Sequence, residues 1–475
     1  MAFLMIGPSE NAPVGDRTFE VTCDHTSSGP SLTAGWFCLD GGEVEIYADR
    51  LGMIPIFYSV IDGVLLVSDS LNEISSNLPH SRPDDDAISV FLSLGYYLGE
   101  TTPVRNVKVL GPGQRASWKC GEVRHSISRP LEQSPYLGSK ADAIKAYQRL
   151  FSASIGRRLL KGVGVLPVSG GRDSRHILLE LVRQHAPPPL LLTLDSPEAS
   201  SALTLALKVG VECRVASRAK GVRSKHVEKN RLNHYLADEN AWYLDLLPHL
   251  SGTLFDGLGG DVLSNGLYYD AQLSGLIREG KCARAAELLT RWHDVNTRFL
   301  CRRFRKLWCR ERAATLIESE LSKYSECPNP LKEFIFWNRT RREIALIPIA
   351  MAMSRVPVAL PYLDDELFRF LLSLPEDPFG PIALHDAVIH RAYPDARSVP
   401  YGDDARKAPA PLGLRERVAF IRETLPPLVG EIAQIRKMVA YAAEVALTGR
   451  QRPLMEPFDR VMPVSQLLSE LNLEW

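Results

Sequence analysis

Val163-Gly164-Val165-Leu166-Pro167-Val168-Ser169-Gly170-Gly171-Arg172-Asp173-Ser174 couples an apolar run to a glycine turn and a polar helix start. The run Gly162 to Val168 has strand length and ends abruptly at Ser169-Gly170-Gly171. A second helix follows, with Ile177, Leu178 and Leu181 at helical spacing. Two glycines let backbone approach a ligand closely, and amides entering a helix point at an anion with the helix dipole behind them. Ser169 and Ser174 add hydroxyl donors, whereas Asp173 is badly placed to touch phosphate and well placed to hold Mg²⁺ against it. A diphosphate plus a metal satisfies every group. A plain strand-to-helix turn needs the glycines alone, and leaves the serines and carboxylate at these offsets without a purpose.

On either side the pattern continues. Ala141 to Leu160 is an amphipathic helix, Arg175 to Gln184 a second, Leu190 to Leu194 an apolar strand, Ala199 to Val209 a crossover helix, and Glu212 to Ala216 a third strand. Alternation of this kind predicts an α/β fold with a doubly wound parallel sheet, which binds ligands outside the carboxyl ends of its strands. Downstream of Leu276 the chain is strongly helical. A basic cluster there, Arg302, Arg303, Arg305, Lys306, Arg310 and Arg312, has the character of a solvated face. Upstream, Gly35 to Ile127 carries short alternating runs of antiparallel-sheet type, interrupted by a helix over Asp84 to Leu98. The Pro/Ser/Gly stretch Pro130 to Lys140 marks a boundary, so two domains are expected, 1–135 and 136–475.

Composition narrows the function. In 475 residues, 56 Lys and Arg balance 56 Asp and Glu, so no net positive charge is available to hold a long nucleic acid. Eight scattered cysteines form no CxxC pair and read as thiols of a reducing compartment. Met1 to Pro8 is too short for a signal peptide, and Ile344 to Pro361 is broken by Pro348, Arg355 and Pro357, which predicts no membrane partner and a cytoplasmic location.

Ser169 to Ser174 resembles the SGGxDS pyrophosphate loop of the N-type ATP pyrophosphatases, and more narrowly of the asparagine synthetase family. Leu254-Phe255-Asp256-Gly257-Leu258-Gly259-Gly260-Asp261-Val262-Leu263-Ser264-Asn265-Gly266 is similar to that family's second phosphate and metal segment. Leu360-Pro361-Tyr362-Leu363-Asp364 resembles its "RVPFLD" region, and Arg406-Lys407-Ala408-Pro409 its lysine loop. In the N-terminal half, Ala48 to Tyr58 is similar to the "RDRFGIKPLYY" hairpin of the family's amidotransferase domain, with Leu94-Gly95-Tyr96 and Val109 to Gly113 matching a later part. The resemblance implies a class II amidotransferase-like (Ntn) β-rich domain followed by an ATP-pyrophosphatase domain of the adenine nucleotide alpha hydrolase type with a helical C-terminal part. It further implies ATP and Mg²⁺ as cofactors. Val168, Ser169, Gly170, Gly171, Asp173, Ser174, Gly259 and Gly260 would hold ATP and its pyrophosphate, Asp173 and Asp261 the metal, and Lys407 developing charge.

Two departures shape the expected activity. A glutamine-hydrolysing member carries a nucleophilic cysteine as its second residue; here residue 2 is Ala2 and the first cysteine is Cys23, so the amidotransferase domain is expected to be degenerate. Three residues before Asp261 the family has a glutamate, or a tyrosine in the β-lactam and carbapenam synthetases, where this chain has Leu258. Leucine transfers no proton, so either the base comes from elsewhere, with Asp256, Glu239 and Glu343 as options, or the nucleophile needs none. The expected function is an AMP-forming carbon–nitrogen ligase joining a small-molecule or peptide carboxylate to an amine, as β-lactam synthetases and lasso-peptide cyclases do in secondary-metabolite or modified-peptide biosynthesis. The alternatives are an ammonia-dependent asparagine synthetase fed by a partner subunit and a non-catalytic nucleotide-binding scaffold. His176, Arg172, Arg175, Arg339, Arg341 and Arg342 are secondary candidates for contacts to phosphate or substrate.

Overall fold

A computed structural model of the chain describes residues 1–7, 14–28, 30–126, 134–217, 222–266, 268–375, 381–402, 443, 447, 456–471 and 473. Ten strands precede residue 127: β1 (Phe3–Ile6), β2 (Val14–Gly15), β3 (Thr18–Cys23), β4 (Leu32–Cys38), β5 (Val44–Tyr47), β6 (Phe57–Ile61), β7 (Val64–Ser68), β8 (Lys108–Val109), β9 (Arg115–Lys119) and β10 (Glu122–Ser126). They form two five-stranded sheets, ordered β2-β1-β7-β6-β8 and β10-β9-β5-β4-β3, and every pairing is antiparallel.

Side-chain alternation explains the layering. In β7, Leu65 and Val67 enter a core shared with Trp36, Val44, Ile46 and Trp118 of the other sheet. Leu66, pointing the opposite way, joins Phe57, Ile88 and Phe91 in a second core covered by helices. The helix Asp85–Leu94 is the one expected over Asp84 to Leu98; Asp84 caps it by accepting from Ala87 N–H at 2.9 Å, and Gly95 ends it at a φ of 91°. The β region also begins earlier than the expected Gly35. β1 lies inside its sheet, between β2 and β7, and four apolar residues carry no period that would announce this.

Beyond residue 139 the pairing changes. The helix Lys140–Arg157 leads to β11 (Leu166–Pro167), then β12 (Leu191–Leu194) and β13 (Cys213–Ala216), all parallel in the order β11-β12-β13. β14 (Leu254–Phe255) pairs in parallel with β15 (Val358–Ala359). On its other side β14 meets the start of the β11 run, where Gly164 and Val165 N–H donate to Thr253 and Ser251 carbonyls at 2.9 Å each. The β13-β12-β11 ladder and the β14-β15 pair are separate, and they adjoin through these two bonds. Gly164 allows this contact, since a Cβ there would lie 1.9 Å from the Ser251 carbonyl oxygen.

The two regions are locked together by buried charge. Arg158 is fully buried and grips Asp24 through Nε and Nη2, each at 2.6 Å, while its Nη1 reaches Asp364 at 3.1 Å. Arg341 and Arg342, from the π-helical segment Phe336–Ile344, donate to the carbonyls of Gly99, Thr101 and Leu110. They are thus neither surface ion pairs nor pocket walls. Among the described residues no helix is long and apolar enough to cross a membrane.

Candidate functional site

Two glycine-rich loops follow the carboxyl ends of β11 and β14, where the two ladders adjoin. The first is Ser169 to Ser174. Gly171 caps the helix Arg172–Arg183, which starts three residues before its apolar spacing becomes visible. Ser174 Oγ accepts from Ser169 N–H at 3.1 Å, and Ser169 Oγ accepts from Gly171 N–H at 3.1 Å, so the hydroxyls close the loop. Val168 is buried with its N–H used by Leu192 in the sheet, and supports the loop from below.

The second loop is Asp256 to Asp261. Asp256 accepts from Leu258 N–H at 2.8 Å and holds the turn; Gly259 takes a φ of 86°, which disfavours any side chain. Asp261 then opens a single π-turn to Asn265 and accepts from Val262 N–H at 2.8 Å. The loops meet face to face. A Cβ on Gly257 would sit 2.9 Å from Asp173 Cβ, and one on Gly260 would sit 2.6 Å from both Asp173 Cγ and Oδ1. Asp173 thus lies against the backbone that carries Asp261. Burial raises Asp261, opposed chiefly by the Arg339 guanidinium; burial together with the neighbouring Asp261 lifts Asp256 to about 6, against the pull of Leu258 N–H.

Beneath the loops lies a neutral polar chain. His176, expected as a secondary phosphate contact, instead faces the core: it is fully buried, stacks on Phe151 with centroids 3.7 Å apart, and is lowered to about 3 by burial. Its Nδ1 is 3.1 Å from His385 Nε2, and His385 Nδ1 lies 3.2 Å from Ser264 Oγ and 3.7 Å from Asp173 Oδ1. His176 Nε2 has no hydrogen-bond partner among the described residues. A bare acceptor is less costly there than an unpaired N–H, which assigns the His176 proton to Nδ1 and the His385 proton to Nδ1. His385 then donates towards Ser264, whose hydroxyl donates to the Gly260 carbonyl at 2.6 Å. One histidine ties both loops together, an arrangement no sequence spacing announced.

Arg172 and Arg175 do not turn to the loop. Arg172 pairs with Asp386 at 2.7 Å, Arg175 donates to the Val399 and Pro400 carbonyls at 2.8 and 2.6 Å, and both stack on the Tyr401 ring. They pin the segment up to Gly402, whose N–H donates to the Gly170 carbonyl at 2.7 Å. Lys407 lies outside the described residues, five positions after Gly402.

On the Asp261 side, Arg339 bonds to Glu343 at 3.3 Å and Glu239 at 3.5 Å and covers the Tyr268 ring. Glu343 is buried and raised well above the usual carboxylate range by burial and by Asp238. Asp238, Glu239 and Glu343 bring ligand atoms within 4.8 Å of one another, yet Arg339 and Arg460 already neutralise them. Leu258 is buried and contributes no polar atom. In the N-terminal region Ala2 is buried with its N–H bound to Asp69, and burial holds the Cys23 thiol far above its ordinary range, which leaves it protonated.

No protein-family model matches the chain, and no curated protein matches it.

Proposed function

We propose that the chain is an ATP-dependent, AMP-forming ligase of the asparagine synthetase type, in which a doubly wound ATP-pyrophosphatase region adenylates a carboxylate and passes the acyl group to an amine. The observation that supports this reading is the meeting of two Gly/Asp loops after β11 and β14, with Asp173 against Gly257 and Gly260. Amides at the N-terminus of the helix Arg172–Arg183, with Ser169 and Ser174, bind pyrophosphate, and Asp173 and Asp261 fit Mg²⁺. Bound there, Mg²⁺ neutralises the departing pyrophosphate. Lys407 steadies charge in the acyl transfer.

For the amine's proton, Glu343 is the acceptor supported best. Asp256 is committed to the Leu258 turn and Glu239 is exposed, whereas Glu343 is buried beside Arg339, and burial with Asp238 raises its affinity for protons above that of an ordinary carboxylate. The N-terminal region serves as a packing platform, since neither Ala2 nor the buried Cys23 supplies a nucleophile. The carboxylate is a small molecule or peptide, in a biosynthetic setting.

ATP–pyrophosphate exchange with Mg²⁺ against a panel of carboxylic acids tests the proposal. Exchange that is lost in Asp173→Asn and Asp261→Asn supports it. Stimulation by aspartate alone would move the assignment to ammonia-dependent asparagine synthesis, and ATP binding without exchange for any acid would leave a nucleotide-binding scaffold.

A further inference from the structure

In a chain of zero net charge, the helix Arg302–Leu307 concentrates cations on one surface. Phe304 and Trp308 point inward to the apolar core, which leaves Arg302, Arg303, Arg305 and Lys306 exposed as a ridge. A groove of about 470 Å³ on one side is lined by Arg82, Arg105, Arg303 and Lys306 with Asp85 as its only acid, and a groove of about 360 Å³ on the other by Arg302, Arg305, Lys306 and Arg310 with Asp294 and Glu311. The wall carrying Arg82 and Arg105 is held by a backbone bond, Arg105 N–H to the Arg82 carbonyl at 2.8 Å.

The acids at the first groove are already engaged, while the second groove sets Asp294 and Glu311 against four basic residues. Asp85 takes Arg105 and the Trp308 indole N–H, and Asp86 takes Arg312. Arg82, Arg302, Arg305 and Lys306 form no ion pair with any described residue. Basic residues outnumber acidic ones along both grooves, so each carries excess positive charge that an external anion relieves.

We propose that this ridge with its two grooves is a docking surface for an acidic polypeptide segment, separate from the nucleotide loops and sharing no residue with them. The two grooves spread the cations along an extended path, as a chain of carboxylates requires and a single phosphate does not. The ridge's own aromatic residues, Phe304 and Trp308, are buried. Trp292, adjacent in sequence to the second groove's His293 and Asp294, is exposed and gives a protein partner the Trp and Arg anchors typical of such interfaces.

Fluorescence anisotropy of a labelled oligo-glutamate peptide on the full chain tests this, with Arg302→Glu/Lys306→Glu as the charge-reversed variant. Binding that falls about tenfold in the variant and weakens with added salt supports the proposal. Arg302→Gln/Lys306→Gln, a milder change at the same exposed positions, gives a smaller loss of the same sign and secures the result if the reversed variant folds poorly. Equal binding by wild type and both variants overturns it. So does ridge-dependent binding of a single-stranded oligonucleotide or of phosphatidylserine vesicles in place of the peptide. ATP–pyrophosphate exchange is measured in parallel and stays unchanged, so failure here is separable from failure of the ligase assignment.

Discussion

The carboxylate of Asp173 fills the place where a side chain on Gly260 would begin, 2.6 Å from a Cβ built there. Gly260 itself has helical backbone angles, φ −60° and ψ −42°, so alanine is conformationally allowed and its effect is purely steric. Gly260→Ala is expected to fold normally and to weaken Mg²⁺-dependent ATP binding by about tenfold or more, the scale of a misplaced metal ligand. Calorimetric titration checks this. Gly275→Ala, whose Cβ meets nothing within 4 Å inside the helix Ala271–Arg278, is the control and should raise stability by about 0.5–1 kcal/mol.

His385 Nδ1 sits between the two loops, 3.2 Å from Ser264 Oγ and 3.7 Å from Asp173 Oδ1. His385→Asn keeps a donor near that position, whereas His385→Leu removes it. The expected outcome is a Mg²⁺ requirement raised about 10–100-fold in the leucine variant and largely restored in the asparagine variant. Mg²⁺ titration of exchange activity distinguishes the two, and equal behaviour would remove His385 from the positioning role.

Arg158 and Asp24 form a buried bidentate pair across the two regions. Asp24 has a φ of 54°, which asparagine tolerates, so Asp24→Asn isolates the loss of charge. With Asp364 left as the only carboxylate on the buried guanidinium, this should cost about 3 kcal/mol. Adding Arg158→Met should recover much of that, as chemical denaturation midpoints will show.

Stability should be highest near neutrality in the metal-free protein. Burial lowers His176 to about 3 and His226 and His234 to about 4 from an ordinary 6.5. The unfolded chain binds these protons first, so their contribution is complete above about 6.5 and is lost as pH falls towards 4. Asp256 has the opposite sign. Raised to about 6, it stabilises while protonated and loses that contribution as pH climbs from its ordinary range through 6. Melting temperature against pH should therefore drop on the acid side, and Asp256→Asn should melt above wild type at pH 7 in the absence of Mg²⁺. A flat profile between pH 7 and 4.5 would contradict the burial of the histidines.

Much of the architecture was legible in the chain itself because it rests on local periodicity. The alternating runs of β4 to β7, β9 and β10, the helix spacing after Asp84, the crossover helix Ala199–Val209 and the glycine break at Ser169-Gly170-Gly171 each state their own conformation within a few residues. The shape of the first loop was also readable, since serine, glycine and aspartate offsets within one turn are a local matter. What periodicity cannot express is which surfaces meet. Only the tertiary fold set β1 inside its sheet, aimed Arg341 and Arg342 at carbonyls some 240 positions away, turned Arg172 and Arg175 to Tyr401, and buried His176 against His385. Those outcomes depend on contacts between segments far apart in sequence, where desolvation and hydrogen-bond satisfaction, rather than the spacing of apolar residues, decide the partner of each polar group.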